Sequence, residues 1–434
     1  MRRRIGKWIG TALIATAVMT FAPGEVFAAQ ESLNQTYDHG MPSIQNENSP
    51  AWPSIVSQAA VVMDMNTGTV VYGKNPLVEH YPASITKIMT ALLALKYGHL
   101  NDTLTASSNA VNQPPDKLYM VPGEKEQLEP LLYGMLLDSA NDVAVEIAEH
   151  YGGSIANFTQ MMNAEAKSLG ATHTHFENPN GLPNPSHQTT AYDMAVIARA
   201  AMQNTEFRKI VGTKYYNWHG DKWSSRLSNL NKMLFYYPGC IGLKTGFTSV
   251  AHETLVVAAT RGSSTFLAVL MDAPTDYEIR HDASQLLDYA FGHYQTETVV
   301  RKGQVVGDLP GHNPTPLVAS NDLLATVRKG DPIHYQTELS YALPAHAASK
   351  GTTVATLNVE DVTGAIVDTV PAQLTTDWTP SAVHRALRPW PVLVPLAVFF
   401  CLLTFIVRGT FKRRMRKRAR RSETWISSSR LQGD

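Results

Sequence analysis

An α/β or α+β sandwich, followed by a small all-β region and one membrane helix, is the fold class that this sequence predicts. Three observations carry it. Two short strand-like runs precede residue 75, a mostly helical middle extends from residue 84 to about 202, and three further strand-like runs lead into a long helical stretch ending near residue 294. Beyond that point helical periodicity gives way to short alternating runs, and an uncharged apolar stretch stands at residues 389–407.

The first element is a hairpin. Ala59-Ala60-Val61-Val62-Met63-Asp64 and Thr69-Val70-Val71-Tyr72 flank Asn66-Thr67-Gly68, a tight turn with glycine at the left-handed position. From Ser84 the period changes: Ile85, Ile88, Met89, Leu92 and Leu95 recur at helical spacing until Gly98, which predicts a helix with Ser84 at its N-terminal end. Helices are predicted over 127–137, 142–151, 155–169 and 191–202, the last behind a Thr190 cap. Strands follow at 241–248, 253–260 and 265–271, and a closing helix at 276–294. These elements define a globular part over residues 56–295. A second, small β-rich part is predicted over 296–372, where Val299-Val300 precedes Lys302-Gly303 and Val354-Ala355-Thr356-Leu357 precedes Thr363-Gly364. A polar linker over 373–388 comes next.

The two ends read differently from the body. Arg2, Arg3, Arg4 and Lys7, an apolar run and the small-residue site Val26-Phe27-Ala28-Ala29 predict a secretory signal over 1–28, cleaved after Ala28. Residues 29–55 are a polar spacer. The 19 residues 389–407, at ~1.5 Å each in a helix, approach the ~30 Å of a hydrocarbon core. Ten Lys or Arg follow from Arg408 onward, so the tail 408–434 is expected in the cytoplasm and the body outside a membrane crossed once. An uncleaved N-terminal anchor or an interfacial C-terminal helix are the bland alternatives, the second lacking a polar face.

Between residues 30 and 407 there are 23 basic against 34 acidic side chains, a net charge of −11, which argues against nucleic acid as a partner. Only Cys240 and Cys401 occur, the latter inside the apolar stretch, so no disulfide is expected and Cys240 reads as a core thiol. The fifteen histidines include no His-Glu-x-x-His run, and His187 and His252 lack a nearby ligand set, so neither a metal nor another cofactor is expected.

Three motifs could carry chemistry. Ser84-Ile85-Thr86-Lys87 puts a hydroxyl and an amine on one face of a helix start, where a lysine with a depressed pKa could activate serine as a nucleophile and helix-end N–H groups could receive an oxyanion. Ser139-Ala140-Asn141 lies between two helices and is open to a capping or a proton-relay role. Lys244-Thr245-Gly246 sits in a strand with apolar flanks Ile241, Leu243 and Phe247. A lysine there suits a cleft, and Gly246 leaves room for an extended peptide to pair with the strand.

Singly these triplets are weak, but they occur in the order Ser-x-x-Lys, Ser-x-Asn, Lys-Thr-Gly of active-site serine penicillin-recognising enzymes. From about Ala59 to Phe291 the chain resembles the low-molecular-weight D-alanyl-D-alanine carboxypeptidases of the serine penicillin-binding proteins, peptidase family S11. Asp64, Thr67-Gly68, Pro82-Ala83-Ser84-Ile85-Thr86-Lys87-Ile88-Met89-Thr90, Pro122-Gly123-Glu124, Ser139-Ala140-Asn141-Asp142, Asn178-Pro179-Asn180-Gly181-Leu182 and Gly242-Leu243-Lys244-Thr245-Gly246-Phe247-Thr248 carry the likeness. The resemblance implies a β-lactamase-like domain, an antiparallel sheet flanked by helices, then a β domain and a membrane attachment. Its expected substrate is a peptidoglycan stem peptide ending in D-Ala-D-Ala, and β-lactams would be covalent inhibitors.

By the same resemblance Ser84 is acylated, Lys87 is its base, Ser139 and Lys244 move protons, and Thr245 binds the substrate carboxylate. Backbone N–H groups of Ser84 and Phe247 form the oxyanion hole, Asn141 orients the substrate, and Arg280 attracts the terminal carboxylate. Ala251-His252-Glu253 departs from the aromatic step of relatives, as do Cys240 and Ile241 from a small or acidic residue. A D,D-endopeptidase would use the same residues. A β-lactamase would need a deacylating base, for which no Glu loop stands between Asn141 and Lys244, and a catalytically silent wall-binding scaffold would not require Ser84, Lys87 and Lys244 together.

Overall fold

The computed structural model describes residues 51–310, 315–330, 336–342, 344, 346–360 and 366–379. The expected signal, most of the spacer, the linker beyond 379, the apolar stretch 389–407, Cys401 and the basic tail lie outside these residues. The chain divides into two units, the first running to Thr298 and taking in Leu324–Ile333, the second formed by Val299–Leu323 and the chain from His334.

In the first unit β1 (Ala59–Asp64) and β2 (Val70–Lys74) form the hairpin expected from the sequence. Two small ribbons follow, β3 (Thr103–Thr105) with β4 (Lys125–Gln127) and β5 (Tyr215–His219) with β6 (Ser224–Ser228). Then come β7 (Cys240–Thr248), β8 (His252–Arg261) and β9 (Ser264–Ala273), which join the first two strands in an antiparallel sheet of order β2-β1-β9-β8-β7. β7 is therefore an edge strand.

Alternation along the inner strands builds three layers. Ala59, Val61 and Met63 of β1 and Leu267, Val269 and Met271 of β9 enter the core shared with the helical block, whereas Ala60, Val62, Phe266, Ala268 and Leu270 face the helix Asp276–His293. Both faces are buried, which is why these strands read as nearly continuous apolar runs. Each such Val or Leu contributes roughly 1.5–3 kcal/mol on burial. A one-residue slip would exchange the two faces, so the packing fixes the register.

The helical block contains Lys87–Tyr97, Leu128–Leu137, Asn141–Gly152, Ile155–Ser168 and Ala191–Ala201. Thr190 caps the last by accepting from Asp193 N at 3.0 Å, as expected. One expectation is corrected: Ser84 lies in a 3-10 turn, Ala83–Thr86, and the α-helix begins only at Lys87. At three residues per turn, residues three apart eclipse, so Lys87 is stacked over Ser84 rather than offset from it. The helix Thr205–Val211 and the β5–β6 ribbon were not anticipated.

β10 (Tyr294–Val300) continues directly from the long helix. In the second unit lie β11 (Val305–Leu309) and β12 (Thr315–Ala319), after which the chain returns to the first unit as β13 (Leu323–Arg328), which pairs with β10. β14 (Gln336–Tyr341), β15 (Thr353–Glu360) and β16 (Ile366–Leu374) complete an antiparallel sheet of order β11-β12-β16-β15-β14 over two small apolar clusters, one around Leu323 and Val359, the other around Leu317 and Val354. Among the described residues no helix is long and apolar enough to cross a membrane.

Candidate active site

Ser84 is half-buried, and beside it Lys87 is wholly buried with its Nζ 2.8 Å from Ser84 Oγ. Nζ also lies 2.7 Å from both Asn141 Oδ1 and the Asn180 carbonyl oxygen. Those two oxygens can only accept. A free amine has two N–H groups, which they occupy, and its lone pair is then left for the Ser84 hydroxyl to donate into. Burial, helped by the nearby positive charge of Lys244, pushes the Lys87 pKa well below the usual lysine value, which favours that free amine.

Asn141, the first residue of its helix, is held so that the amide has one orientation. Its Nδ2 donates to Pro114 O at 3.0 Å and its backbone N to Asp116 O at 2.7 Å, which turns Oδ1 toward Lys87. Ser139 sits in the loop just before, buried and in the left-handed region at φ +66°. Its hydroxyl has no hydrogen-bond partner among the described residues. Ala83, immediately ahead of Ser84, is also left-handed at φ +50°. Two non-glycine residues held in that region beside the reacting groups are strain that the surrounding packing maintains.

The third motif arrives on the edge strand. Lys244 is buried and donates to the Thr245 carbonyl at 3.0 Å, Thr245 is half-buried and Phe247 exposed. A Cβ on Gly246 would stand 2.6 Å from Ser84 N, so only glycine lets β7 close on the 3-10 turn that carries Ser84. Gly181 makes the corresponding approach from the other side: its φ is +85°, and a Cβ would lie 1.9 Å from Ala83 O. Ser84, Lys87, Asn141, Lys244 and Gly246 thus meet at one place, with the backbone N of Ser84 against the strand.

Several residues that motif reading passed over hold this arrangement. Thr254 Oγ1 on β8 contacts Pro82 O at 2.9 Å and Gly246 O at 3.1 Å, tying the strand to the turn that carries Ser84. His187 is buried, accepts from Glu177 N at Nδ1 and so donates from Nε2 to Thr86 Oγ1 at 2.8 Å. Burial pushes its pKa down to about 3, keeping it neutral. No local pattern marks it.

Charge in the cleft is mixed. Burial lowers the Lys244 pKa to about 8, and the Asp116 and Asp138 carboxylates counteract that fall. Asp138 is itself raised to about 6, by burial first and then by Asp116. Arg280 stands in the long helix, with Nη2 2.9 Å from Asp276 Oδ2 and its guanidinium 5.9 Å from the Tyr236 ring centre. None of its hydrogen bonds reaches the motif residues.

His252 opens β8 opposite Thr248, so pairing with β7 persists through the departure at Ala251-His252-Glu253. Its Nδ1 is 2.6 Å from Asp272 Oδ1, a carboxylate shared with His80 at 3.7 Å. Cys240 packs against the sheet's second core, and burial raises its thiol to about 11. No group of three or more His, Cys, Asp or Glu among the described residues is arranged to hold a metal ion.

Set against known proteins, residues 45–275 match the family described as D-alanyl-D-alanine carboxypeptidase, and residues 294–379 match the C-terminal domain of penicillin-binding protein 5. The chain is similar to D-alanyl-D-alanine carboxypeptidase DacF of Bacillus subtilis, at 34% identity over 307 residues, which span 69% of this chain and 74% of that one. It is 35% identical over 256 residues to DacB2 of Mycobacterium tuberculosis, covering 57% of this chain and 87% of the relative. Penicillin-binding protein 5 from Haemophilus influenzae is a structural match with TM-score 0.65 at 28% identity, covering 76% of this chain and 99% of that one.

Proposed function

The chain belongs to the D-alanyl-D-alanine carboxypeptidase family, and from that premise we propose that it is a serine peptidase removing the terminal D-alanine of peptidoglycan pentapeptides through an acyl ester on Ser84. The observation that carries this reading is the 2.8 Å contact between Ser84 Oγ and a buried Lys87 whose other two contacts are acceptors.

In the proposed reaction Ser84 Oγ attacks the carbonyl carbon between the two D-alanines while its proton passes to Lys87 Nζ. The carbonyl oxygen gathers charge against the backbone N–H groups of Ser84 and Phe247. When the C–N bond breaks, the proton held on Lys87 passes by way of Ser139, beside Lys244, to the leaving amine, so that terminal D-alanine departs and Lys87 is again a free amine. Water, deprotonated by Lys87, then cleaves the ester and the proton returns to Ser84. Asn141 orients the acyl amide. Thr245 and Lys244 receive the terminal carboxylate, with Arg280 adding attraction at longer range. Edge strand β7 offers its free side to the extended peptide, the β-augmentation mode of recognition. A β-lactam carbonyl would be attacked by the same hydroxyl.

The site works outside the cell in this proposal, on a protein exported by residues 1–28 and anchored once through 389–407. The apolar length of that stretch and the ten Lys or Arg after it support the topology.

The test is direct. Full-length chain treated with a fluorescent penicillin carries one covalent label, which peptide mass spectrometry assigns to Ser84, and releases D-alanine from a diacyl-Lys-D-Ala-D-Ala tripeptide. Ser84→Ala does neither. Label that survives in Ser84→Ala overturns the assignment.

A further inference from the structure

Two carboxyl groups are sealed inside the first unit just after Asn141, whose amide faces Lys87. Asp142 and Glu146 lie one turn apart on the helix Asn141–Gly152, and each is only 1% exposed. Side chains four apart on a helix are neighbours, and a long one leans back over the preceding turn, so Glu146 leans toward Asp142. Asp142 Oδ2 and both Glu146 oxygens have no hydrogen-bond partner among the described residues. An ionised carboxylate buried without a partner is so costly that the group takes up a proton instead.

Asp142 is the neighbour that lacks a donor. The charges that act most strongly on Glu146 are all carboxylates: Asp142 first, then Glu124, Glu126 and Glu149. Glu124 accepts from Val121 N at 2.8 Å and Asp221 N at 2.9 Å, Glu126 from Gln127 N at 2.7 Å, and Glu149 from Asn109 Nδ2 at 2.7 Å. Asp142 has one oxygen engaged: Oδ1 accepts from Leu118 N at 3.1 Å and from Val143 N at 2.9 Å. Two ionised carboxylates can only accept, so neither satisfies the other until one carries a proton. Burial, and then Asp142, raise the pKa of Glu146 to about 8. Burial raises Asp142 too, but the backbone N–H groups of Leu118, Val143 and Met120, and then Lys117, oppose that rise. Glu146 is therefore the member that keeps the proton.

We propose that Glu146 is a positioning residue, a neutral acid that donates to Asp142 Oδ2 and so fixes the loop against which the Asn141 amide is set. That loop supplies Pro114 O to Asn141 Nδ2, Asp116 O to Asn141 N and Leu118 N to Asp142 Oδ1. With both acids charged, repulsion drives Asp142 off the Leu118 amide, the loop shifts, and Asn141 Oδ1 loses its place 2.7 Å from Lys87 Nζ. Glu146 thus acts through Asn141, and none of the hydrogen bonds made by Ser84 or Lys87 reaches it. The proposal rests on the carboxypeptidase reading, in which Lys87 is the base, and adds to it a residue that holds the base's partner in place.

The experiment follows full-length wild type, Glu146→Gln and Glu146→Leu. Glutamine keeps an N–H for Asp142 and carries no charge, whereas leucine keeps bulk but leaves Oδ2 without a donor. Infrared difference spectra between about pH 7 and about pH 9 should show wild type losing the C=O band of a protonated carboxyl group, a loss absent from both variants. At about pH 7 a fluorescent penicillin should acylate Glu146→Gln within about twofold of the wild-type rate and Glu146→Leu roughly tenfold more slowly. At about pH 9, where wild type alone acquires the second charge, its rate should fall about threefold relative to that of Glu146→Gln. A merely structural role would move neither the band nor that ratio. Wild type without the band, a Gln variant as slow as the Leu variant, or parallel pH profiles for wild type and Gln would overturn the proposal. Should Glu146→Leu fail to fold, the band and the wild-type to Gln ratio still decide it. Wild type that penicillin does not acylate would instead strike the carboxypeptidase reading while the infrared result stands, so the two failures are separable.

Discussion

Asn141 Oδ1 and Lys87 Nζ lie 2.7 Å apart, and the other end of the Asn141 amide is committed to Pro114 O. The amide therefore offers Lys87 an acceptor that carries no formal charge. Asn141→Asp replaces it with a carboxylate of nearly the same shape, which favours the ammonium form of Lys87 and removes the lone pair that Ser84 needs. Acylation by penicillin should slow by ~10²-fold or more at neutral pH and recover partly as the pH is raised. Stopped-flow acylation rates across pH check this. Unchanged rates would mean that the charge state of Lys87 does not limit acylation.

Lys244 titrates near 8 because burial lowers its pKa and Asp116 and Asp138 hold it up. If the substrate carboxylate needs the charged form, kcat/KM falls as the pH rises through about 8 and Lys244 loses its proton. Asp138→Asn removes one of the two supporting charges, so the alkaline limb should move to lower pH by roughly half a unit. A pH profile of tripeptide turnover for both proteins decides it. A limb that stays in place would show that another group controls the fall.

The parts of the site that are legible in the sequence are those where the proposed chemistry dictates a side chain: Ser84, Lys87, Asn141 and Lys244, which the fold brings together. Asn180 was legible only as part of a motif, because it contributes a backbone carbonyl to Lys87 and any residue could supply one. His187 gave no signal, since its partners are the backbone N of Glu177 and the hydroxyl of Thr86, about a hundred residues away. The β5–β6 ribbon was missed for a different reason. Tyr216 and Trp218 face inward while Tyr215 faces out, so aromatic residues stand on both sides and blur the two-residue alternation.

Thr254 joins strand to nucleophile turn through one hydroxyl, with acceptors at Pro82 O and Gly246 O. Thr254→Val keeps the shape and leaves both buried carbonyls without that donor, at a cost of about 1–3 kcal/mol in stability. Since Gly246 and Ser84 N are in close approach, the same change should loosen the oxyanion donors and slow acylation by ~10-fold, whereas Thr254→Ser restores both. Melting temperature and acylation rate measured together test this. A Val variant that is destabilised yet acylates normally would reduce Thr254 to a packing role.

Stability should depend on pH through two buried groups that act in opposite directions. His187 has a folded pKa near 3 against about 6.5 when unfolded, so its contribution is intact above 6.5 and is lost as the pH falls toward 3, by roughly 4–5 kcal/mol in full. Glu146 is raised to about 8 by burial and by neighbouring carboxylates, Asp142 foremost, and neither of its oxygens has a hydrogen-bond partner among the described residues. Its folded form keeps a proton that the unfolded chain has released, so Glu146 favours the fold increasingly as the pH drops from about 8 toward 4.5. The melting temperature should therefore rise on acidification from pH 8, level off between about 6.5 and 4.5 where the two effects cancel, and fall below about 4.5. His187→Gln should flatten the acid limb, and Glu146→Gln the alkaline one, each at some loss of absolute stability. Differential scanning calorimetry from pH 3 to 9 reads both limbs, and an acid limb equally steep in His187→Gln would assign acid sensitivity to other groups.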